Sequence, residues 1–222
     1  MEEQRNVIIE IPGVHLGLVE ADGIQVGPSG PELLQGLDEV CARRAKELPT
    51  AEAVAGLDSV RGVREMFRAW GVDPARYRPS GEALIRRIAQ GKGLYRVSNV
   101  VDLNNLGSCE TGWPFGSYDR KQFTSPAVFR LGHAGESYEA IGKRIWALEG
   151  QPVLTDTAGP FGSPFSDSTR TMVTPKTIEL LTVLFAPART PEAAIRAAID
   201  QHAERLKQHA GATAVRTSIV LS

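Results

Sequence analysis

The sequence predicts a mixed α/β domain, a mixed sheet flanked by helices, and three observations carry that expectation. Leu33, Leu34, Leu37, Val40, Cys41 and Ala45 recur near a 3.6-residue period, as do Val60, Val63, Met66, Phe67 and Trp70, so two amphipathic helices lie in the first third. The run from Thr177 to Phe185 is apolar at most positions, which suits a central strand covered on both faces. A length of 222 residues, with 42% hydrophobic and 23% charged side chains, fits one sizeable soluble core.

In chain order, Asn6–Ile11 and Val14–Glu20 read as short strands, and Pro12-Gly13 between them as a hairpin turn. A third strand is expected after Asp22-Gly23. Pro28-Ser29-Gly30-Pro31 breaks the chain before a helix over 32–48, and a second helix spans 58–70 with Gly71 as its stop. Ser80 is expected to cap a helix over 81–90. Ala127–Leu131 and Pro152–Thr155 read as strands. Pro187 ends the long strand, and Thr190-Pro191-Glu192 supplies a cap, a first-turn proline and an acid for a helix reaching His209, stopped by Gly211. A strand over 213–221 closes the domain.

Composition narrows the function. A net charge of −1 is not that of a dedicated nucleic-acid binder, so RNA contact would need a local patch. Arg86-Arg87 with Lys92 and Arg96, and Lys143-Arg144, are the candidates; solvated surface charge is the commoner role of such groups. Cys41 and Cys109 form no redox or metal motif, and His15, His133, His202 and His209 show no metal spacing, so neither a metal nor a cofactor is expected. Cys109-Glu110 reads as a buried inert thiol beside an acid rather than a nucleophile and base. With an acidic amino terminus and no long apolar run, a cytoplasmic protein is expected.

The densest chemistry lies in Ser98-Asn-Val-Val-Asp-Leu-Asn-Asn-Leu106 and Gly112-Trp-Pro-Phe-Gly-Ser-Tyr-Asp119. Asn99, Asp102, Asn104 and Asn105 sit among aliphatics, where each polar group needs a partner. The second segment is a Gly/Pro/aromatic loop of the kind that walls a small-molecule pocket. Together they resemble the B3/B4 domain of the bacterial phenylalanyl-tRNA synthetase beta subunit, whose motif runs N-N-V-V-D-x-T-N-x…G-Q-P-x-H-A-F-D with the same spacing. Arg130 with Gly132-His-Ala-Gly135-Glu136 resembles that family's V-R-x-A-x-x-G-E turn, Val153-Leu-Thr-Asp156 its V-I-A-D strand, and Thr174 with Thr177 its T/N-x-x-T. Val60-Arg-Gly-Val, Gly71-Val-Asp-Pro and Tyr77-Arg-Pro-Ser80 resemble a free-standing form of the domain.

The resemblance implies a single domain over 1–222, with a B3/B4-like core at about 82–185, a strand and helix region at 1–81 and a helix and strand at 190–222. It implies binding of aminoacyl-tRNA 3′ ends and hydrolysis of misacylated tRNA in trans. The alternative is a non-catalytic module for a small amino-acid-like ligand, RNA or a protein partner. By resemblance the pocket is lined by Asn104, Trp113, Pro114, Phe115, Gly116, Ser168 and Val183. Gly116 stands where the family has a histidine, so space is expected there. Val183 stands where it has the glutamate that reads a tyrosine hydroxyl, so tyrosine-specific editing is not expected. The polar loop Asp167–Thr171 falls near the family's glycine pair; it offers donors for a carboxylate, phosphate or ribose, or is an ordinary surface turn. No catalytic residue is assigned.

Overall fold

In the computed structural model, which describes residues 7–142 and 144–222, pleat and helix periodicity assemble three layers around one long strand. That strand, β9 (Glu179–Pro187), sends Leu180, Leu184 and Ala186 toward a layer of helices, and Leu181, Val183 and Phe185 toward a second sheet. Alternation of side chains on a pleated strand explains why nearly every position must be apolar.

The central sheet is antiparallel, in the order β10 (Ala214–Val220), β2 (Val14–Asp22), β9, β3 (Phe115–Asp119). The second sheet has the order β1 (Val7–Ile9), β4 (Ala127–Leu131), β7 (Pro152–Asp156), β8 (Gly159–Gly162); β1 and β4 are parallel and the other pairs antiparallel. A small hairpin of β5 (Ser137–Glu139) and β6 (Ile145–Ala147) is paired separately and packs Tyr138 against Val153 of the second sheet.

The helical layer comprises α1 (Pro31–Glu47), α2 (Ala51–Gly56), α4 (Ser80–Ala89), α5 (Asn99–Thr111) and α6 (Glu192–Ala210). Between these two, α3 (Asp58–Ala69) lends Val60 to the helical core and Val63, Met66 and Phe67 to the core between the sheets. Mixed α/β architecture is therefore what the chain adopts, and 115–119, read from the sequence as part of a loop, is a strand paired directly to the long one.

Several local expectations are corrected. Pro12-Gly13 does not close a hairpin: β1 pairs with β4 in one sheet and β2 with β9 and β10 in the other, so the dipeptide carries the chain between layers. Asn6 lies outside the described residues. No strand follows Asp22-Gly23, because β2 itself runs to Asp22 and the next residues hang on Ile178 and Ala210 carbonyls. Ser80 and Thr190 do not cap; Pro79 and Pro191 occupy the cap positions without side-chain bonds.

The helix over 99–111 has weak amphipathic contrast because Asn99, Val100, Asp102, Leu103, Leu106, Gly107, Ser108 and Cys109 are all buried, so periodicity does not announce it. Its ends are built from side chains: Ser98 Oγ accepts the Val101 N–H, and Arg44 donates from Nε to the Cys109 carbonyl (2.8 Å) and from Nη2 to that of Glu110 (2.6 Å).

Candidate functional site

Gly112 carries α5 into β3 through a left-handed turn (φ 80°). From there the register fixes where each candidate side chain goes: Phe115 opposes Leu184, Gly116 opposes Val183 and Ser117 opposes Thr182. Phe115 and Ser117 face the helices. Ser117 Oγ donates to Asn104 Oδ1 (2.9 Å), which leaves the Thr182 hydroxyl to donate to Ser117 Oγ (2.8 Å). Phe115 packs against the His202 ring at 5.5 Å. Both His202 nitrogens lack a partner among the described residues, and burial pushes its pKa down to about 3, so it is a neutral core residue.

Gly116 and Val183 face the second sheet, and no space stands open between them. A Cβ on Gly116 would lie 2.3 Å from Tyr118 Oη, and one on Gly162 would lie 2.4 Å from Tyr118 Cε1. The two glycines are needed because the Tyr118 ring lies across both backbones. The room expected from the missing histidine is thus filled by a side chain two residues along the same strand.

Tyr118 Oη donates to Asp167 Oδ1 (2.8 Å), which also accepts the Ser163 N–H (3.2 Å). Asp167 keeps part of its residue at the surface while its carboxyl is enclosed, and burial pushes its pKa up to about 7 against the lowering of those two bonds. Burial, with Asp167 beside it, holds the Tyr118 phenol well above its ordinary range.

Elsewhere the polar candidates serve the fold. Asn99 Nδ2 donates to the carbonyls of Gln25 (2.8 Å) and His209 (2.9 Å), and Asn99 Oδ1 accepts the Gly27 and Val100 N–H groups. Asp102 accepts from Ser29 Oγ (2.6 Å) and the Val97 N–H (3.1 Å). In the loop 167–171, Arg170 is forked onto Asp156 (2.8 and 3.1 Å) and the Gly159 carbonyl, and Ser168 Oγ accepts the Arg170 N–H. Cys109 is fully buried, and desolvation pushes its thiol up to about 12, so no thiolate forms. Arg87 stacks on Tyr95, Arg96 pairs with Asp38, and Arg144 lies over Trp146; Lys143 falls outside the described residues.

The seven residues expected to share a pocket therefore divide. Asn104 and Phe115 lie on the helical side; Gly116 and Val183 lie between the sheets; Ser168 is buried in the loop that bridges to Ala140. Pro114 is buried, its carbonyl accepting the Phe185 N–H. Trp113 alone lines an open cleft.

That cleft, about 410 Å³, lies between the first turns of α3 and α6 and is lined by Asp58, Ser59, Arg61, Gly62, Trp113, Pro187, Arg189, Thr190, Pro191 and Ala194. Gly81 sets the Trp113 backbone in place, since a Cβ there would lie 2.7 Å from the Gly112 carbonyl oxygen and 2.8 Å from that of Trp113. The lining combines an indole with two guanidiniums and two hydroxyls. Arg61 is paired with Asp58 and Arg189 with Glu65, so both cations are held at the rim.

Sequence reasoning missed Ser59, Arg61, Arg189 and Thr190. The readable signal was charge segregation: residues 58–96 hold nine Lys/Arg against four Asp/Glu, in a chain of net charge −1. Among the described residues, no cluster of His, Cys, Asp and Glu is arranged to hold a metal ion, and no helix is long and apolar enough to cross a membrane.

Two phenylalanine–tRNA ligase beta subunits are similar to part of this chain. That of Thermobifida fusca is 33% identical over 91 residues, 40% of this chain and 11% of the subunit. That of Leifsonia xyli subsp. xyli is 31% identical over 86 residues, 38% and 10% respectively. The alignments thus span about a tenth of the length of these relatives. An N-terminal fragment of the phenylalanyl-tRNA synthetase beta subunit from Pyrococcus horikoshii aligns with 97% of this chain and 51% of its own, at 12% identity and a TM-score of 0.44. The family model of the B3/4 domain matches residues 62–212, about two thirds of the sequence, and the chain belongs to that family.

Proposed function

We propose that the protein is a tRNA-binding module that receives the aminoacylated 3′ end of tRNA in the Trp113 cleft, without hydrolysing the ester. The observation that carries this reading is the lining of the cleft, where an indole stands beside Arg61, Arg189, Ser59 and Thr190. A terminal adenosine stacks on the indole, guanidiniums take phosphate oxygens, and hydroxyls take the ribose. The volume suits a nucleoside-sized group. Family membership and the similarity to two phenylalanine–tRNA ligase beta subunits support RNA as the partner.

Against hydrolysis stands the absence of a free base from the described lining, whose one acid, Asp58, is engaged by Arg61. The position of the family's tyrosine-reading glutamate is the buried Val183, whose side chain has no acceptor for a phenol.

Fluorescence anisotropy with charged tRNA tests the binding: Trp113→Ala should weaken it by about 1–3 kcal/mol, roughly 5- to 150-fold. Amino-acid release from a panel of mischarged tRNAs should not exceed the spontaneous rate. Release above that rate would turn the conclusion to a trans-acting deacylase, and equal affinity of the Trp113 variant would move the site elsewhere.

A further inference from the structure

Three arginines converge on one buried carboxylate beside the cleft. Glu82, 1% exposed, receives Arg64 Nη1 on both oxygens (2.9 and 3.0 Å) and Arg86 Nε at 2.7 Å, while Arg78 Nε lies 3.9 Å away. All three approach the same oxygen, Oε1. One negative charge thus faces three positive ones within a few ångströms. Glu52 feels the charge of Arg86 but, among the described residues, forms no ion pair with it.

A single guanidinium would neutralise Glu82. The surplus is costly unless an anion shares it, because like charges held together repel and partly buried cations are poorly screened. Donors remain for such an anion. Among the described residues Arg64 Nε and Nη2, both Nη atoms of Arg86 and the whole Arg78 guanidinium donate to no protein acceptor. Arg64 and Arg86 are held rigid by Glu82, at 17% and 20% side-chain exposure, and Arg78 is 43% exposed at the rim. Pre-ordered planar forks around a common point suit a tetrahedral oxyanion with several acceptor oxygens.

We propose that Arg64, Arg78 and Arg86, gathered by Glu82, form a phosphate-binding site. Glu82 is the positioning residue, which spaces the guanidiniums and keeps them from collapsing onto separate partners. The site adjoins the Trp113 cleft: Gly81, next to Glu82, is in contact with the Trp113 carbonyl, and Arg64 lies one turn along α3 from Arg61. Its occupation by a backbone phosphate of RNA rests on the RNA-binding reading. A free phosphate would use the same donors without it.

Arginine side-chain ¹⁵N NMR of the full chain, titrated with inorganic phosphate against sodium chloride at matched ionic strength, tests the site. The Nε signals of Arg64, Arg78 and Arg86 should shift and saturate with phosphate only. Arg78→Gln, exposed and without a hydrogen bond to lose, should keep its circular dichroism and bind phosphate about tenfold more weakly.

In a second arm, single-stranded RNA binding is followed against salt, where Arg78→Gln should lower the slope of log affinity on log salt by about 0.7. Loss of phosphate binding with an unchanged RNA slope assigns the site to free phosphate. Phosphate shifts no larger than those of chloride, or parental affinity in Arg78→Gln, would overturn the proposal. RNA that fails to bind the parent chain at all counts against the RNA reading alone, because the phosphate arm decides the site.

Discussion

Asp167 gives the fold a distinct pH signature. Its carboxyl loses a proton near 3.8 when free in solution and at about 7 in the folded chain, where burial opposes the charge. Below pH 3.8 both states hold the proton. Between 3.8 and 7 the unfolded chain has released it and the folded chain has not, so stability falls as pH rises through this window and levels off above it. Asp167→Asn keeps an acceptor for Tyr118 and for the Ser163 N–H but has nothing to ionise. Urea unfolding of this variant should show that slope flattened, with a gain at pH 8 on the order of a few kcal/mol.

Gly116 shows how a residue aligned with a family position can still be misplaced in space. The structure sets it opposite Val183 but leaves no vacancy there, because the Tyr118 ring approaches from the same face of β3. Gly116→Ala should therefore cost about 1–3 kcal/mol in denaturant unfolding through forced displacement of that ring, rather than block a ligand.

At the scale of elements, the strands and helices legible in the sequence are those with a clear period, an apolar run or boundary signals: α1, α3, α4, α6, β2, β4, β7, β9 and β10 lie within about two residues of expectation. Those that were not legible have a physical reason. α5 is buried nearly all round, so its polar residues erase the periodicity while serving as internal fastenings. Pro12-Gly13 has the chemistry of a hairpin turn, yet turn chemistry does not specify which sheet the next strand joins.

The fastening role of α5 is testable. Asn99 binds one carbonyl before the first long helix and another at the end of the last. Asn99→Ala would strand those carbonyls and the Gly27 N–H, and should destabilise the fold by about 2–4 kcal/mol in equilibrium unfolding. Asn99→Asp, which turns a second acceptor oxygen toward the same two carbonyls, should cost at least as much.

For the molecule as a whole, the family motif located the loop that enters the cleft but not the cleft itself. Trp113 belongs to the motif; Arg61 and Arg189 come from segments 128 positions apart in the chain, brought together where α3 and the start of α6 flank the end of β9. No local pattern reports such a meeting. The excess of arginine over 58–96 marks only the stretch that supplies Arg61.

The order of the central sheet has a consequence for how the chain reaches this state. β2 near the amino end is flanked by β9 and β10, and Val19 pairs with Thr217, almost the full length of the chain away. During synthesis β2 emerges long before either neighbour, with both of its edges unpaired and its apolar face uncovered. The ribosome must release residues 214–220 before the sheet can close. Closure of the central sheet therefore waits on pairings of high sequence separation, which makes it one of the slower steps of folding.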